Sequence, residues 1–359
     1  MKPQRQHLQP LATLQFIAVI AIVLAHYWLD GATYLKTLCT SFCFVYSGYF
    51  TARAHHDSRF SLAGHTRYML GKLAKFYPLY VLALGLSLLA AYFISGLNLL
   101  FSKVTLAHLL LLSPWFTTPS YYFGINPVAW FICDLFFLYL ISPLLIGGMR
   151  HLKPWQQAAV VAMLIVGELV AGYAANPASP SLLISHQPHY YLYEFPPVRM
   201  LEFLTGIALY HITLGQRWRN AAARLSPTAA TIIEMVTVAA CIAFYPIGEQ
   251  LLFPHWYRAY CSVAPVVIAM MGALVFTSSR GGLVSRAMSW PPLAALSRIG
   301  AEVYLLQFGA YYCIKQAVQL LGLPTHGVAY FVLQTGGLLL VAWAVHHRVV
   351  VPLRRLLSR

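Results

Sequence analysis

The sequence predicts an all-α, polytopic integral membrane protein of about ten transmembrane helices with both termini in the cytoplasm. Three observations predict it. The 359 residues are 59% hydrophobic and only 9% charged, with a mean hydropathy of +0.66, whereas a soluble domain carries about 25% charge. Lipid must therefore replace water around most of the exterior. The apolar runs are about 20 residues long and lack a two-residue alternation, so helices rather than a closed barrel satisfy the backbone in lipid. The cations are also lopsided. With the N-terminus inside, nineteen of the 24 Lys and Arg fall on the inner side, leaving Lys36, Lys103, Arg199, Arg258 and Lys315 outside, as the positive-inside rule requires.

In order, the spans fall at 11–29, 34–52, 77–95, 127–148, 155–175, 199–215, 228–246, 259–277, 296–318 and 327–347. The stretch 104–116 is too short to span and reads as interfacial or re-entrant. A cytoplasmic basic loop, 53–76, joins the second and third spans. The outer loops, about 96–126 and 176–198, are long and rich in aromatics, Pro and His, and long irregular loops are usually functional. Lys2 and Arg5 precede the first run as in a signal peptide, but no small-residue cleavage site follows, so an uncleaved first helix is expected. No repeat or appended soluble domain is visible, and residues 1–359 read as a single transmembrane domain.

The six cysteines all lie in apolar runs without CxxC or metal-like spacing. They read as buried thiols, and no metal is expected. A net charge of +15 would suggest nucleic acid for a soluble protein, but inner-loop cations account for it, so no nucleic-acid partner is expected. HExxH, GxSxG, P-loop and dinucleotide glycine motifs are absent, so hydrolase, NTPase and dehydrogenase readings lack support.

Candidate chemistry begins in the first span. A titratable group in hydrocarbon costs roughly 2.5 kcal/mol or more and usually marks function, and His26 is one. Gln15 lies eleven residues earlier, on the same helix face and about 16 Å away along the axis. Asp30, at i+4 from His26, is placed to hold the imidazole tautomer and raise its basicity. The alternative is an interfacial histidine bonded to a neighbouring helix. Arg67, Lys72 and Lys75 lead into FYPLY at 76–80. Such a cluster suits the phosphates of a cytoplasmic donor, or is a solvated positive-inside loop. Asp134, Glu168, Glu202, Glu234 and Glu302 lie in or near spans, and each needs a partner. Arg199 and Glu202, at i,i+3, either pair or bind substrate. Trp130 and Asp134, at i,i+4, set an aromatic face beside a carboxylate, which suits a sugar ring. Trp is equally common at membrane interfaces.

These residues fall into an ordered set of motifs. The first helix reads LQFIAVIAIVLAHY at 14–27, and the second ends in FVYSGYF at 44–50, with Ser47 and Gly48. KLAKFYPLY follows at 72–80, then NPVAWFICDLFFLYLISPLL with Asn126, Trp130, Asp134, Tyr139 and Pro143. RMLEFLTGI carries Arg199, Glu202 and Gly206, and RIGAEVYLLQF closes the series. In this order and spacing the chain resembles, over almost its whole length, the membrane-bound acyltransferase-3 family of bacterial O-acyltransferases that modify surface glycans. Four positions depart from the family pattern: Gln15 stands where the family has arginine, Lys72 and Lys75 replace paired arginines, and Gln307 replaces a late histidine.

The resemblance implies a cytoplasmic acyl-CoA donor, usually acetyl-CoA, and an acceptor hydroxyl on a cell-surface or lipid-linked glycan. It implies a multi-pass protein of the bacterial inner membrane, with the bilayer as its other partner; a homo-oligomer is compatible. His26 falls on the family's catalytic histidine, with Asp30 to orient it. Gln15, Arg67, Lys72, Lys75 and Ser47 are expected on the acyl-CoA side. Trp130, Asp134, Arg199, Glu202, Glu302 and Gln307 are expected on the acceptor side. The competing expectations are a glycan or lipid-linked-sugar transporter on the same helices, favoured by Gln15 and Gln307, and a scaffold in polysaccharide synthesis.

Overall fold

The computed structural model describes residues 8–29, 32–55, 61–95, 99–174, 190–246 and 263–357. All regular structure among them is helical. The main helices are α1 Gln9–Tyr27, α2 Thr33–Ala54, α3 Leu62–Ser95, α4 Lys103–Leu109, α5 Trp130–Arg150 and α6 Pro154–Ala174. They continue with α7 Pro196–Thr213, α8 Pro227–Pro246, α9 Ala264–Thr277, α10 Leu283–Met288, α11 Gly300–Leu320 and α12 Gly327–Val345. Each expected span falls on one of these helices. Among the described residues, five stretches are long and apolar enough to cross a membrane: Gln9–Tyr27, Leu62–Phe93, Trp130–Arg150, Pro227–Phe244 and Gly327–Leu356. Helices α2 and α7 have the length, but a row of polar side chains dilutes each of them.

The basic segment between the second and third spans differs from expectation. Most of 53–76 is helix, because α2 runs to Ala54 and α3 starts at Leu62. Residues 62–76 are mostly good helix formers, with no proline until Pro78. Pro78 then sits inside α3, where it removes one helical hydrogen bond. Lys72 and Lys75 therefore ride on a continuous helix that reaches from the basic end into the apolar span. The 96–126 loop is also partly ordered. It holds α4, whose N-cap Ser102 accepts from the Thr105 amide at 3.1 Å, and a 3-10 turn at Ser113–Trp115. The apolar length of this stretch is spent on a short helix and a turn. Of the 176–198 loop, only 190–198 lies within the described residues.

The expected single domain is built as two compact units, each taking chain from two separate stretches. One comprises Met1–Arg59 and Leu138–Arg298, the other Phe60–Phe137 and Ile299–Arg359. Helix α5 contributes to both. The cysteines are less uniform than expected. Cys39, Cys43 and Cys133 are buried, Cys241 is half-buried and Cys313 is exposed; Cys261 lies outside the described residues. In lipid an exposed thiol carries no burial requirement, which is why an apolar run alone does not predict packing.

In the first unit, α2 is central. It packs most extensively on α7 and also meets α1 and α9. Two glycines allow this closeness. A Cβ on Gly48 would lie 1.9 Å from the Phe203 carbonyl oxygen, and one on Gly206 would lie 2.0 Å from the Val45 oxygen. Backbone meets backbone on both sides, as small residues permit between membrane helices. Gly206→Ala is expected to cost at least about 1–3 kcal/mol by overpacking, read as earlier thermal unfolding in detergent. An unchanged midpoint would overturn the close-contact account.

In the second unit, α11 packs on α3 and α12. Here Gly309 leaves room for Leu86, whose Cγ lies 2.7 Å from where a Cβ would stand.

Candidate active site

Helix α1 buries Leu11, Leu14, Ala18, Ile22 and Ala25, a stripe at helical spacing. Gln15 and His26 lie off that stripe. Gln15 is half-buried and His26 is exposed. His26 sits in the last turn, one residue before the helix ends at Tyr27, with its ring edge-on to the Tyr27 ring at 6.1 Å. A base that must reach a bound substrate needs such an exposed position. Asp30 lies outside the described residues.

The same unit holds a buried charged cluster between α2 and α7. Arg199 Nη1 donates to both Glu202 carboxylate oxygens at 2.8 Å, and both residues are at most 2% exposed. The second guanidinium nitrogen donates to the Leu192 carbonyl on the π-helical turn Tyr190–Glu194. The Ser41 hydroxyl donates to Glu202. The guanidinium lies over the Phe44 ring at 5.7 Å and the Tyr193 ring at 5.2 Å, and the Tyr193 hydroxyl shares a 2.9 Å hydrogen bond with Thr40. Glu168 on α6 is buried close enough to act electrostatically on both Arg199 and Glu202, and its Oε2 has no hydrogen-bond partner. Burial on this scale demands the pairing seen here. Ser47 donates to the Cys43 carbonyl at 2.7 Å and meets the Tyr139 side chain. The FVYSGYF and RMLEFLTGI motifs thus form one contact, with glycines that permit it and charges beside it.

The second unit holds the other expected residues. Arg67 and Lys75 are exposed and Lys72 is half-buried. Lys72 lies over the Tyr68 ring at 5.1 Å and Lys75 over the Phe76 ring at 4.6 Å. Trp130 and Asp134 are buried one turn apart in α5. Asn126 starts that segment by accepting from the Val128 amide at 3.3 Å, and it donates to the Leu305 carbonyl of α11 at 3.0 Å. Phe131 meets Tyr304 at 5.2 Å. The buried Gln307 donates to the Tyr304 carbonyl at 2.8 Å. The NPVAW and YLLQ motifs therefore also pack on each other. Tyr80, closing KLAKFYPLY, donates to the His108 carbonyl at 3.0 Å and lies 3.3 Å from Cys133 Sγ. Burial pushes the His108 imidazole down to about 4, so it is neutral at pH 7.

The acids that lacked partners in the sequence mostly have them. Glu234 accepts from Thr277 Oγ1 at 2.7 Å, from the Gly282 and Ser285 amides at 3.2 and 3.0 Å, and from the Ser285 hydroxyl, so it caps α10. That role is structural. Glu302 pairs with His346, whose Nδ1 lies 2.7 Å from Oε1. Sequence reasoning passed over His346, Arg354 and the carbonyl of Leu192. The signals for the first two were a histidine near the end of the last span and the basic tail that follows it.

The sequence profile of the acyltransferase domain family, acyltransferase-3, matches residues 11–347. The chain belongs to the acyltransferase-3 family. The match takes in both units and every motif above. Among characterised relatives, this acyltransferase-3 member is 23% identical over 344 residues to Acyltransferase MdmB of Streptomyces mycarofaciens, covering 90% of the present chain and 83% of the relative. No solved structure matches it. Family and apolar helices together make it a membrane acyltransferase.

Proposed function

We propose that this acyltransferase-3 member moves an acyl group, in the simplest case acetyl, from cytoplasmic acyl-CoA to a hydroxyl of a cell-surface or lipid-linked glycan. We place it in the bacterial inner membrane, with ten spans and both termini inside. One observation carries the reading: in a family of acyl-transfer proteins, the first helix carries an exposed imidazole in its last turn. His26 accepts the proton of the acceptor hydroxyl. The oxygen attacks the thioester carbonyl, the C–S bond breaks, and the thiolate leaves with the proton from the imidazolium. Lys72 and Lys75, with Arg67, supply positive charge for the donor's phosphates, while Gln15 and Ser47 complete the donor side. On the acceptor side, Trp130 and Asp134 offer a sugar-binding pair, with Gln307 beyond them; Glu302, paired with His346 and acting on Lys75, belongs with the donor-side cations instead. The Arg199–Glu202 pair, which the Ser41 hydroxyl joins to α2, fixes α2 against α7.

The test uses purified protein in detergent with acetyl-CoA and a glycan acceptor, followed by mass analysis of the acceptor. A gain of one acetyl group with release of free CoA is expected. Neither release nor a mass gain, under conditions where the protein is folded, would favour the transporter reading.

A further inference from the structure

Helix α12 does not stop at the end of its apolar run. It passes through a π-helical turn, His346–Val350, into a last helix, Val351–Leu357. π-Turns inside helices are rare and cluster at functional sites. The first residue of this turn, His346, is buried against Glu302 in the first turn of α11 at 2.7 Å. The pair has only one of its carboxylate oxygens satisfied, because Glu302 Oε2 is buried without a hydrogen-bond partner. Arg354, two turns further on, has a buried Nε that also lacks one. Both residues act electrostatically on Lys75, as does Lys72, and both the π-turn and the last helix touch α3. Three cations from two distant parts of the sequence thus share one end of the second unit, against a single carboxylate that His346 already holds. A surplus of positive charge and a guanidinium whose Nε has no partner fit a polyanion, and planar guanidinium donors suit phosphate oxygens in particular.

We propose that Arg354 is a phosphate-binding residue of the donor site, acting with Lys72 and Lys75, and that the Glu302–His346 pair is the positioning element that pins the last helix there. The ligand chemistry is the phosphate and diphosphate of a nucleotide-type thioester. This assignment rests on the acyl-CoA reading above, and it adds a C-terminal residue to a cation cluster that otherwise draws only on α3.

The experiment measures binding of three probes to the full-length protein in nanodiscs: coenzyme A, its 3′-dephospho form, and pantetheine, which has no phosphate. Arg354→Ala is expected to weaken coenzyme A binding by about tenfold or more, to leave pantetheine binding unchanged, and to be partly rescued in Arg354→Lys. His346→Gln is expected to give the same selective loss, with an unchanged melting temperature. Coenzyme A binding to Arg354→Ala at wild-type strength would overturn the assignment while leaving the donor reading intact. Equal losses for coenzyme A and pantetheine would overturn it too, since they would mark general damage. Failure of the wild-type protein to bind coenzyme A at all would remove the donor reading itself.

Discussion

Replacing His26 with alanine is expected to lower acyl transfer by about 10²–10⁴-fold, the usual contribution of a positioned general base. The same substitution is expected to leave folding nearly untouched. The side chain is exposed at the end of α1, off the stripe that packs on α2, and changes at such positions usually stay within about 0.5 kcal/mol. The measurement pairs membrane accumulation and thermal unfolding of the variant with its rate of acyl transfer to the acceptor that the wild type acylates. Wild-type transfer by a normally accumulating His26→Ala protein would remove His26 from the mechanism.

Arg199→Ala is expected to act in the opposite way, through the fold. It would leave the Glu202 carboxylate, Ser41 and nearby Glu168 buried without their cation. Removing one partner of a buried ion pair costs about 3–5 kcal/mol, and the Leu192 carbonyl would lose its donor as well. The expected result is poor accumulation and early unfolding in detergent. Arg199→Met combined with Glu202→Gln should recover much of the loss, because neither charge is then stranded. If the single variant unfolds like the wild type, the cluster does not hold α2 to α7.

Much of this was legible in the sequence, for identifiable reasons. Helix positions follow from apolar length, which lipid enforces strictly, and all ten expected runs fall on helices. The Arg199–Glu202 pair was readable because i,i+3 spacing puts both on one face. What could not be read was what each motif touches. Gly48 and Gly206 lie 158 positions apart, and nothing local shows that they meet. The 53–76 segment read as a loop because charge was weighed above helix propensity, yet lysine and arginine extend helices readily. His346 was invisible as a pair because its partner, Glu302, comes from another helix, and a sequence displays only neighbours along the chain.

The contact between Gly48 and Gly206 also bears on motion. Helices that meet at their backbones have no side-chain layer to slide across, and no rotamer change can loosen them. Helices α2 and α7 must therefore travel as one body through the catalytic cycle. Any rearrangement that admits an acceptor or releases a spent donor has to be borne by other helices, while this seam stays shut.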